Sequence, residues 1–282
     1  MRGSPRLWLA CALSLVTTAC TTSSNADPNV DTRASSLGLL QVDRFADGTT
    51  AELGAAFARF RGTDTATVAH LLSGGSDAEL DACSLGSGEL DALLSSEATV
   101  DLLDVGTIDV HVGNAEAHLV PRTFPELARV AAGFFYAGDA DISDVASGAE
   151  EYTFHADASA ELPGFEVAVP APLYPADVRV NGAPLQNGMS LSRARELDVT
   201  WEANDPRDHV EIDVMAVAET VSCRSRDDGS FRISAADLAA TAGHPRARIV
   251  VRRVRVQPFD ATGVDVAYVR LAATRAFDVT LE

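Results

Sequence analysis

The acidic segment 139–151 carries the oxygen-bearing side chains that a twelve-residue calcium loop would use. Five of them fall at positions 1, 3, 5, 9 and 12 of such a loop, namely Asp139, Asp141, Ser143, Ser147 and Glu150. The glycine required for the sharp turn at position 6 is replaced by Asp144. The flanking segments, Phe134–Tyr136 and Tyr152–Ala158, are rich in strand-forming residues. We therefore expect a solvated hairpin tip here, with a calcium site as the alternative.

A cluster of arginines falls within ten residues of one predicted strand. Its members are Arg246, Arg248, Arg252, Arg253 and Arg255. Because guanidinium groups bind carboxylate and phosphate oxygens in pairs, such a stripe could bind phosphate or uronic acid groups. The alternative is that these side chains form an exposed strand face or pair with the acidic first half of the chain. We favour this alternative.

The remaining reactive residue types show no catalytic or metal-binding spacing. His111 and His118 are seven residues apart, which is not the spacing of a helical zinc motif. Asp205, Asp208 and His209 share a turn and could imitate part of a catalytic triad, but no GxSxG elbow supplies a nucleophile. We expect no catalytic residue, no metal and no cofactor.

Cys83 and Cys223 are the cysteines that lie within the predicted strands and loops. In an oxidising compartment such a pair can form a disulfide, and the geometry of the fold decides whether it does. The two residues fall in different predicted domains, so a disulfide between them would join those domains. No CxxC motif is present, which argues against a zinc or redox site of that type.

The segments that position these residues are predicted to be mostly short strands. Runs rich in Val, Ile, Phe and Thr alternate with Gly, Asp, Asn and Pro, a pattern typical of strands and turns. Leu37–Phe45 and Ala51–Phe60 flank Asp47-Gly48, which predicts a hairpin. We also expect a short helix at Pro125–Ala132 and a loop at Ser76–Leu94.

The strand pattern is cleaner after Leu162-Pro163-Gly164, where we place a domain boundary. Leu197–Trp201 and His209–Val217 both alternate apolar and polar residues. Seven or eight short strands with an early tryptophan predict a β-sandwich, and this pair resembles the second and third strands of fibronectin-type or Ig-like modules. The predicted fold class is all-β, with two β-sandwich-like domains: an acidic β-rich domain at 37–161 and an Ig-like domain at 162–282.

Charge and composition exclude some classes of function. The formal net charge is −19, and all 22 basic residues are arginine. Chemistry that needs a lysine, such as Schiff-base formation, is therefore absent. Such an acidic chain repels phosphates, so we expect no nucleic-acid partner. The charge allows divalent cations or cationic partners, although solubility alone explains it.

The N-terminal residues have the three parts of a secretory signal peptide. Met1–Arg6 contains two arginines and no acid, Leu7–Val16 is apolar, and small residues precede Cys20. The apolar run is about half of the ~20 residues that a membrane-spanning helix needs. Val16-Thr17-Thr18-Ala19-Cys20 resembles the lipobox of bacterial lipoproteins, with Thr17 where that family usually has Leu or Val.

The lipobox resemblance implies a lipid anchor. Residues 1–19 would be removed as a signal peptide, Cys20 would carry the lipid, and residues 20–36 would form a flexible polar linker. Two or three acyl chains hold a protein stably on a membrane, whereas one chain does not. No aspartate directly follows Cys20, where Thr21 is found, and by resemblance to a lipoprotein sorting rule this favours the outer over the inner membrane. The alternative is an ordinary signal peptide cut near Ala19.

Several short motifs of the body are similar to those of an uncharacterised group of bacterial secreted lipoproteins. They are Gly106-Thr107-Ile108, Leu162-Pro163-Gly164-Phe165, Leu197-Asp198-Val199-Thr200-Trp201, and Cys223 with Asp227–Ile233. The resemblance implies architecture and no activity. We therefore predict a non-enzymatic, lipid-anchored cell-envelope protein that acts in structure or binds a protein or glycan partner. The alternatives are a carbohydrate- or cation-binding surface module and an envelope hydrolase with a deep polar pocket that joins distant strands.

Overall fold

A computed structural model describes most of the chain after the predicted linker. The described residues are 34–75, 78–85, 98–127, 131–141, 150–217, 219–241 and 243–282, without the side chains of 124–127 and 131. Within these ranges, no helix has both the length and the apolar character that crossing a bilayer requires.

The described chain consists of nineteen strands and two short helices. The strands of the first half are β1 Ser35–Phe45, β2 Thr50–Arg61, β3 Ala82–Leu85, β4 Thr99–Leu102, β5 Ile108–Val112, β6 Ala115–Leu119, β7 Pro121–Leu127, β8 Ala131–Asp141 and β9 Glu151–Ala156. Those of the second half are β10 Phe165–Pro170, β11 Arg179–Val180, β12 Ala183–Pro184, β13 Met189–Leu191, β14 Leu197–Thr200, β15 His209–Met215, β16 Thr220–Arg226, β17 Ser230–Ile233, β18 Arg246–Pro258 and β19 Val266–Leu281. The helices are α1 Thr65–Ser73 and α2 Ala235–Ala239. The predicted all-β, sandwich-like fold class is confirmed.

One large sheet contains strands from both halves of the chain. Its order is β3-β16-β15-β18-β19-β1-β2-β4-β8-β7, with β13 also paired to β19. The two halves join where β1 pairs in parallel with β19, from Leu37 opposite Val266 to Phe45 opposite Thr274. Two smaller sheets complete the fold. The first small sheet has the order β10-β9-β5-β6, and the second has the order β12-β11-β14-β17.

The two small sheets cover different stretches of one face of the large sheet, which we call the inner face. The first core includes Leu40, Phe57 and Phe154, and the second includes Trp201 and Val251. Strand β19 contributes to both, with Leu271 in the first core and Val279 in the second. Because side chains alternate along a strand, these two residues lie on the same face, eight positions apart.

The opposite, outer face of the large sheet carries α1. Asp64 caps this helix by accepting a hydrogen bond from the Thr67 N–H at 2.9 Å. Gly74 ends it in a left-handed conformation with a φ of 57°, which favours glycine. Val68 of α1 is fully buried and packs with Leu37 and Val100 of the sheet.

Several predicted elements differ from the observed ones. The predicted hairpin is confirmed as β1 and β2. The predicted helix at Pro125–Ala132 is wrong, because β7 continues through Leu127 and β8 begins at Ala131. The helix α1 was not predicted, and the predicted loop at Ser76–Leu94 contains β3.

Residues 162–171, assigned above to the second domain, belong to the first core. Strand β10 pairs antiparallel with β9 from Phe165 opposite Ala156 to Pro170 opposite Glu151, and Leu162, Val167 and Ala171 pack in that core. The second core begins with Val178. The segment between them therefore carries the chain from one small sheet to the other, while the large sheet stays continuous beneath both.

Candidate functional site

The predicted calcium residues fall on and around the β8–β9 connection. Asp139 and Asp141 lie in β8, Ser143 and Ser147 lie outside the described residues, and Glu150 precedes β9. Glu150 forms an ion pair with Arg44, whose Nη1 lies 3.5 Å from its Oε2. In the described part of the chain, no group of three His, Cys, Asp or Glu residues is close enough to bind one metal ion. Cys20 also lies outside the described residues.

Cys83 and Cys223 are joined by a disulfide with an S–S distance of 2.05 Å. They lie directly opposite one another where β3 pairs antiparallel with β16, at the edge of the large sheet. Cys83 packs against the second core. The bond therefore attaches a short strand from the first half of the chain to the sandwich of the second half.

The five predicted arginines do not share one face of β18. Strand alternation places Arg246, Arg248 and Arg252 on the outer face, and Arg253 and Arg255 on the inner face. Arg252 pairs with Asp213, and the two inner arginines are buried. The stripe is thus divided, and three of its five cations have carboxylate partners in the second half of the chain rather than in the acidic first half.

The inner arginines bind the segment that passes between the two small sheets. Arg255 donates to both carboxylate oxygens of Asp208, at 2.7 and 3.0 Å, and to the Pro170 carbonyl at 3.1 Å. Arg253 donates to the Leu173 and Tyr174 carbonyls, at 3.1 and 3.2 Å. Arg44 of β1 donates to the carbonyl of Pro172. We call these three arginines and the carbonyls of residues 170–174 the arginine clamp.

Asp227 connects the arginine clamp to the second core. Its Oδ1 accepts hydrogen bonds from the Trp201 indole at 2.7 Å and from Arg253 at 3.1 Å. Its Oδ2 accepts from the N–H groups of Asn204 and Asp205, at 3.0 and 3.2 Å. The Trp201 and Asp227 motifs of the sequence therefore meet in a buried hydrogen-bonded network with a structural role.

A polar pocket of about 350 Å³ lies on the outer face, between α1 and the sheet. Strands β15, β16, β18 and β19 form one wall, and the side of α1 that carries Ala66, Ala69, His70 and Ser73 forms the other. We call it the outer-face pocket. It joins residues that are distant in sequence, so sequence spacing gave no sign of it.

A chain of buried charged groups forms the floor of the outer-face pocket. His209 donates from Nε2 to Oε1 of Glu211 at 3.2 Å, because a carboxylate can only accept. Arg270 donates from Nη2 to Oε2 of Glu211 at 2.6 Å and from Nη1 to Asp43 at 3.4 Å. Burial alone would raise the pKa of Glu211, but the bond from His209 and the charge of Arg270 lower this pKa to about 2. Glu211 is therefore a fixed negative charge.

Arg224 lines the same pocket and has no acceptor for its guanidinium group among the described residues. Its Nε is shielded from solvent and makes no hydrogen bond within the described structure. In the sheet register Arg224 lies directly opposite Glu211. The Glu211 oxygens accept from His209 and Arg270, and no bond from Arg224 to Glu211 is present in the described structure.

Asp205, Asp208 and His209 could have imitated part of a catalytic triad, but their side chains lie on opposite faces of the large sheet. Asp208 and Asp205 bond to Arg255 on the inner side, whereas His209 faces the outer-face pocket. His111 and His118 lie on the paired strands β5 and β6 but are not opposite one another. A hydrogen bond to Asp109 at 2.7 Å raises the pKa of His118, which is on the surface.

A second cavity, of about 520 Å³, lies on the other side of α1. Leu39, Leu72 and Leu102 give it an apolar lining. At its acidic end, Asp43, Glu52 and Asp139 lie opposite one another across β1, β2 and β8. Like charges in such register repel each other.

Comparison with known proteins gives little information about this chain. No family model matches it, and no curated protein matches its sequence. A solved structure from a study of host cell surface retention of a 1.5-MDa bacterial ice-binding adhesin aligns with 89% of this chain and 67% of its own, at 14% identity and a TM-score of 0.21. A similarity of that size supports no conclusion about fold or function.

Proposed function

We propose that this protein is a lipid-anchored binding protein of the bacterial cell envelope, without catalytic activity. The observation that carries the proposal is the outer-face pocket, whose polar floor is fixed by internal bonds from His209 and Arg270 to Glu211. A pocket of prearranged polar groups on a rigid sheet is typical of ligand-binding sites. The uncharacterised lipoprotein group that the sequence resembles is consistent with this role.

The envelope location is supported by two independent features. The N-terminal segment has the parts of an exported lipoprotein precursor, ending at Cys20. The Cys83–Cys223 disulfide fits an oxidising compartment outside the cytoplasm, since such bonds are rare in reducing ones. A tether of two or three acyl chains would keep the pocket close to envelope components.

The anchor is tested by substituting Cys20 and comparing a matched cysteine. The full chain expressed in a bacterial host should partition into the detergent phase, and intact mass should show an acylated mature form beginning at Cys20. Cys20→Ser should abolish acylation and detergent partitioning. Cys11→Ser changes a cysteine of the apolar run and should leave both unchanged. An unacylated mature protein in the aqueous phase for the unmodified chain would refute the anchor.

An envelope hydrolase is the second candidate, because the outer-face pocket is polar and joins distant strands. It would need His209 as a base, and because His209 Nε2 donates a hydrogen bond to Glu211, Nδ1 would have to accept the proton. The hydroxyl of Ser73 in the same pocket accepts from the Gly75 N–H at 3.2 Å. Hydrolysis of 4-nitrophenyl esters or glycosides that is lost in His209→Gln would favour the hydrolase over the binding protein.

A further inference from the structure

We propose that the outer-face pocket binds a small organic carboxylate through Arg224. The starting observation is that some arginines on the outer face pair with carboxylates whereas Arg224 does not in the described structure. Arg252 pairs with Asp213, and Arg270 pairs with Glu211 and Asp43. Arg224 lines the pocket without an ion pair or side-chain hydrogen bond among the described residues. An arginine that lines a pocket without a carboxylate partner can donate to the oxygens of a bound ligand.

The register of the sheet explains why Arg224 is left over. Glu211 lies opposite Arg224 on β16 and opposite Arg252 on β18. Its two oxygens accept from His209 and Arg270 instead. Glu211 adds charge to the site, and the described structure contains no bond from Arg224 to it. Among the described residues no carboxylate pairs with Arg224, and we infer that a ligand supplies the acceptor.

The charge balance of the pocket favours a monoanion. Within the described residues, Arg224 is the pocket guanidinium without a carboxylate partner, so a monoanion balances its charge. A phosphate dianion would bring a second negative charge close to Glu211, which lies opposite Arg224. A carboxylate carries one charge and matches the planar guanidinium with two parallel hydrogen bonds. Carboxylate therefore fits the site better than phosphate.

The remaining walls suit the organic part of such a ligand. Tyr268 and Val256 line the pocket from the sheet, and Ala66 and Ala69 line it from α1. Val256 is 42% exposed, which leaves apolar surface for a ligand to cover. A volume of about 350 Å³ admits a single sugar acid or the C-terminal residue of a peptide. These are two sources of the same carboxylate chemistry.

The inference rests on the proposed role as a binding protein but not on the lipid anchor. Titration calorimetry on the purified full-length chain in detergent would use sodium glucuronate, N-acetylalanine and inorganic phosphate as separate probes. We expect glucuronate or N-acetylalanine to bind, and Arg224→Gln to weaken that binding at least tenfold. Arg226→Gln is the matched control, because Arg226 lies two residues along the same strand and pairs with Asp81 at the surface. It should change the affinity less than twofold.

A measurement on the unsubstituted protein keeps the proposal testable if the Arg224 variant fails to fold. Phenylglyoxal modifies accessible arginines, and peptide mass spectrometry would report whether the carboxylate probe protects Arg224 but not Arg226. Protection of Arg224 supports the site. Binding of phosphate alone, binding retained in Arg224→Gln, or the absence of heat and protection with both carboxylates would overturn it. A failed anchor experiment with positive titration would remove only the envelope location.

Discussion

Glu211 shows how one residue can tie the pocket to the stability of the fold. It is almost fully buried, and it remains ionised because His209 and Arg270 each donate to one of its oxygens. A carboxyl group whose pKa is lower in the folded than in the unfolded state stabilises the fold above its unfolded pKa. This stabilisation is lost as the pH falls towards the folded value.

We expect Glu211→Gln to flatten the acid dependence of stability. With a folded pKa of about 2 and an ordinary value of 4.5, Glu211 accounts for a loss of about 2 kcal/mol between pH 6 and pH 3. Urea unfolding at pH 6 and at pH 3 gives the free energy of unfolding at each pH. The difference between these two values should be about 2 kcal/mol smaller in the variant. Glu196→Gln is the control, since Glu196 is largely exposed beside Arg232. An unchanged pH slope in Glu211→Gln would contradict the ion-pair network.

The sequence predicted some of these residues but not their partners. The alternation of His209–Val217 places His209 and Glu211 on one face, but nothing local predicts that Arg270 lies beside them. Arg252 and Arg253 are adjacent in sequence but lie on opposite faces of β18. The arginines that the sequence suggested as one stripe are therefore divided between the two faces of the sheet. Their partners lie 25 or more residues away and meet them only through strand pairing.

At the scale of elements, the predictions were most accurate where the pattern was local. The β1–β2 hairpin followed from alternation around Asp47-Gly48. The helix α1 also carried local signals, with Asp64 as a cap and Gly74 at its end. With nine residues, α1 has only about two and a half turns over which a helical periodicity can show.

The β3–β16 pairing depends on the disulfide more than on its own length. Strand β3 has only four residues and lies at the edge of the large sheet. The Cys83–Cys223 bond links residues 140 positions apart, and closing so long a loop restricts the unfolded chain. The bond therefore stabilises an edge strand that would otherwise hold few contacts.

We expect the double substitution Cys83→Ser and Cys223→Ser to lower the free energy of unfolding by about 2–5 kcal/mol. Hydrogen exchange should also show earlier opening of β3 than of β15. The neighbouring cross-strand pair provides the control, as Ser84→Ala with Ser222→Ala perturbs the same strands without removing a covalent bond. Equal effects of the two double variants would mean that the disulfide does not stabilise this edge.

For the whole molecule, the main difference from the sequence prediction is the shared sheet. Two β-sandwiches were predicted, and two cores with separate small sheets are observed. The continuity between them comes from β1 and β19, which pair although more than 200 residues separate them. Hydrophobic pattern identifies strands that have a buried face, but it does not specify which distant strand lies alongside.

This continuity predicts that both sandwiches unfold together. Strand β19 supplies residues to both cores, and the arginine clamp bonds to the segment between the small sheets from β1 and β18. Unfolding of one sandwich would expose part of β19. It would also break hydrogen bonds of the arginine clamp that stabilise the other sandwich. Calorimetry should therefore show one transition, with equal calorimetric and van't Hoff enthalpies. Hydrogen exchange should give the same opening free energy for β9 and β14.

Arg255→Met tests the role of the clamp in this coupling. Arg255 bonds to Asp208 beside the second core and to Pro170 at the end of the first small sheet. Its loss leaves a buried carboxylate unpaired, which costs about 3–5 kcal/mol, and both cores should lose stability equally. Arg246→Met removes an exposed arginine from the same strand and should have little effect. If Arg255→Met instead splits the transition in two, each sandwich folds independently and the large sheet is only a hinge between them.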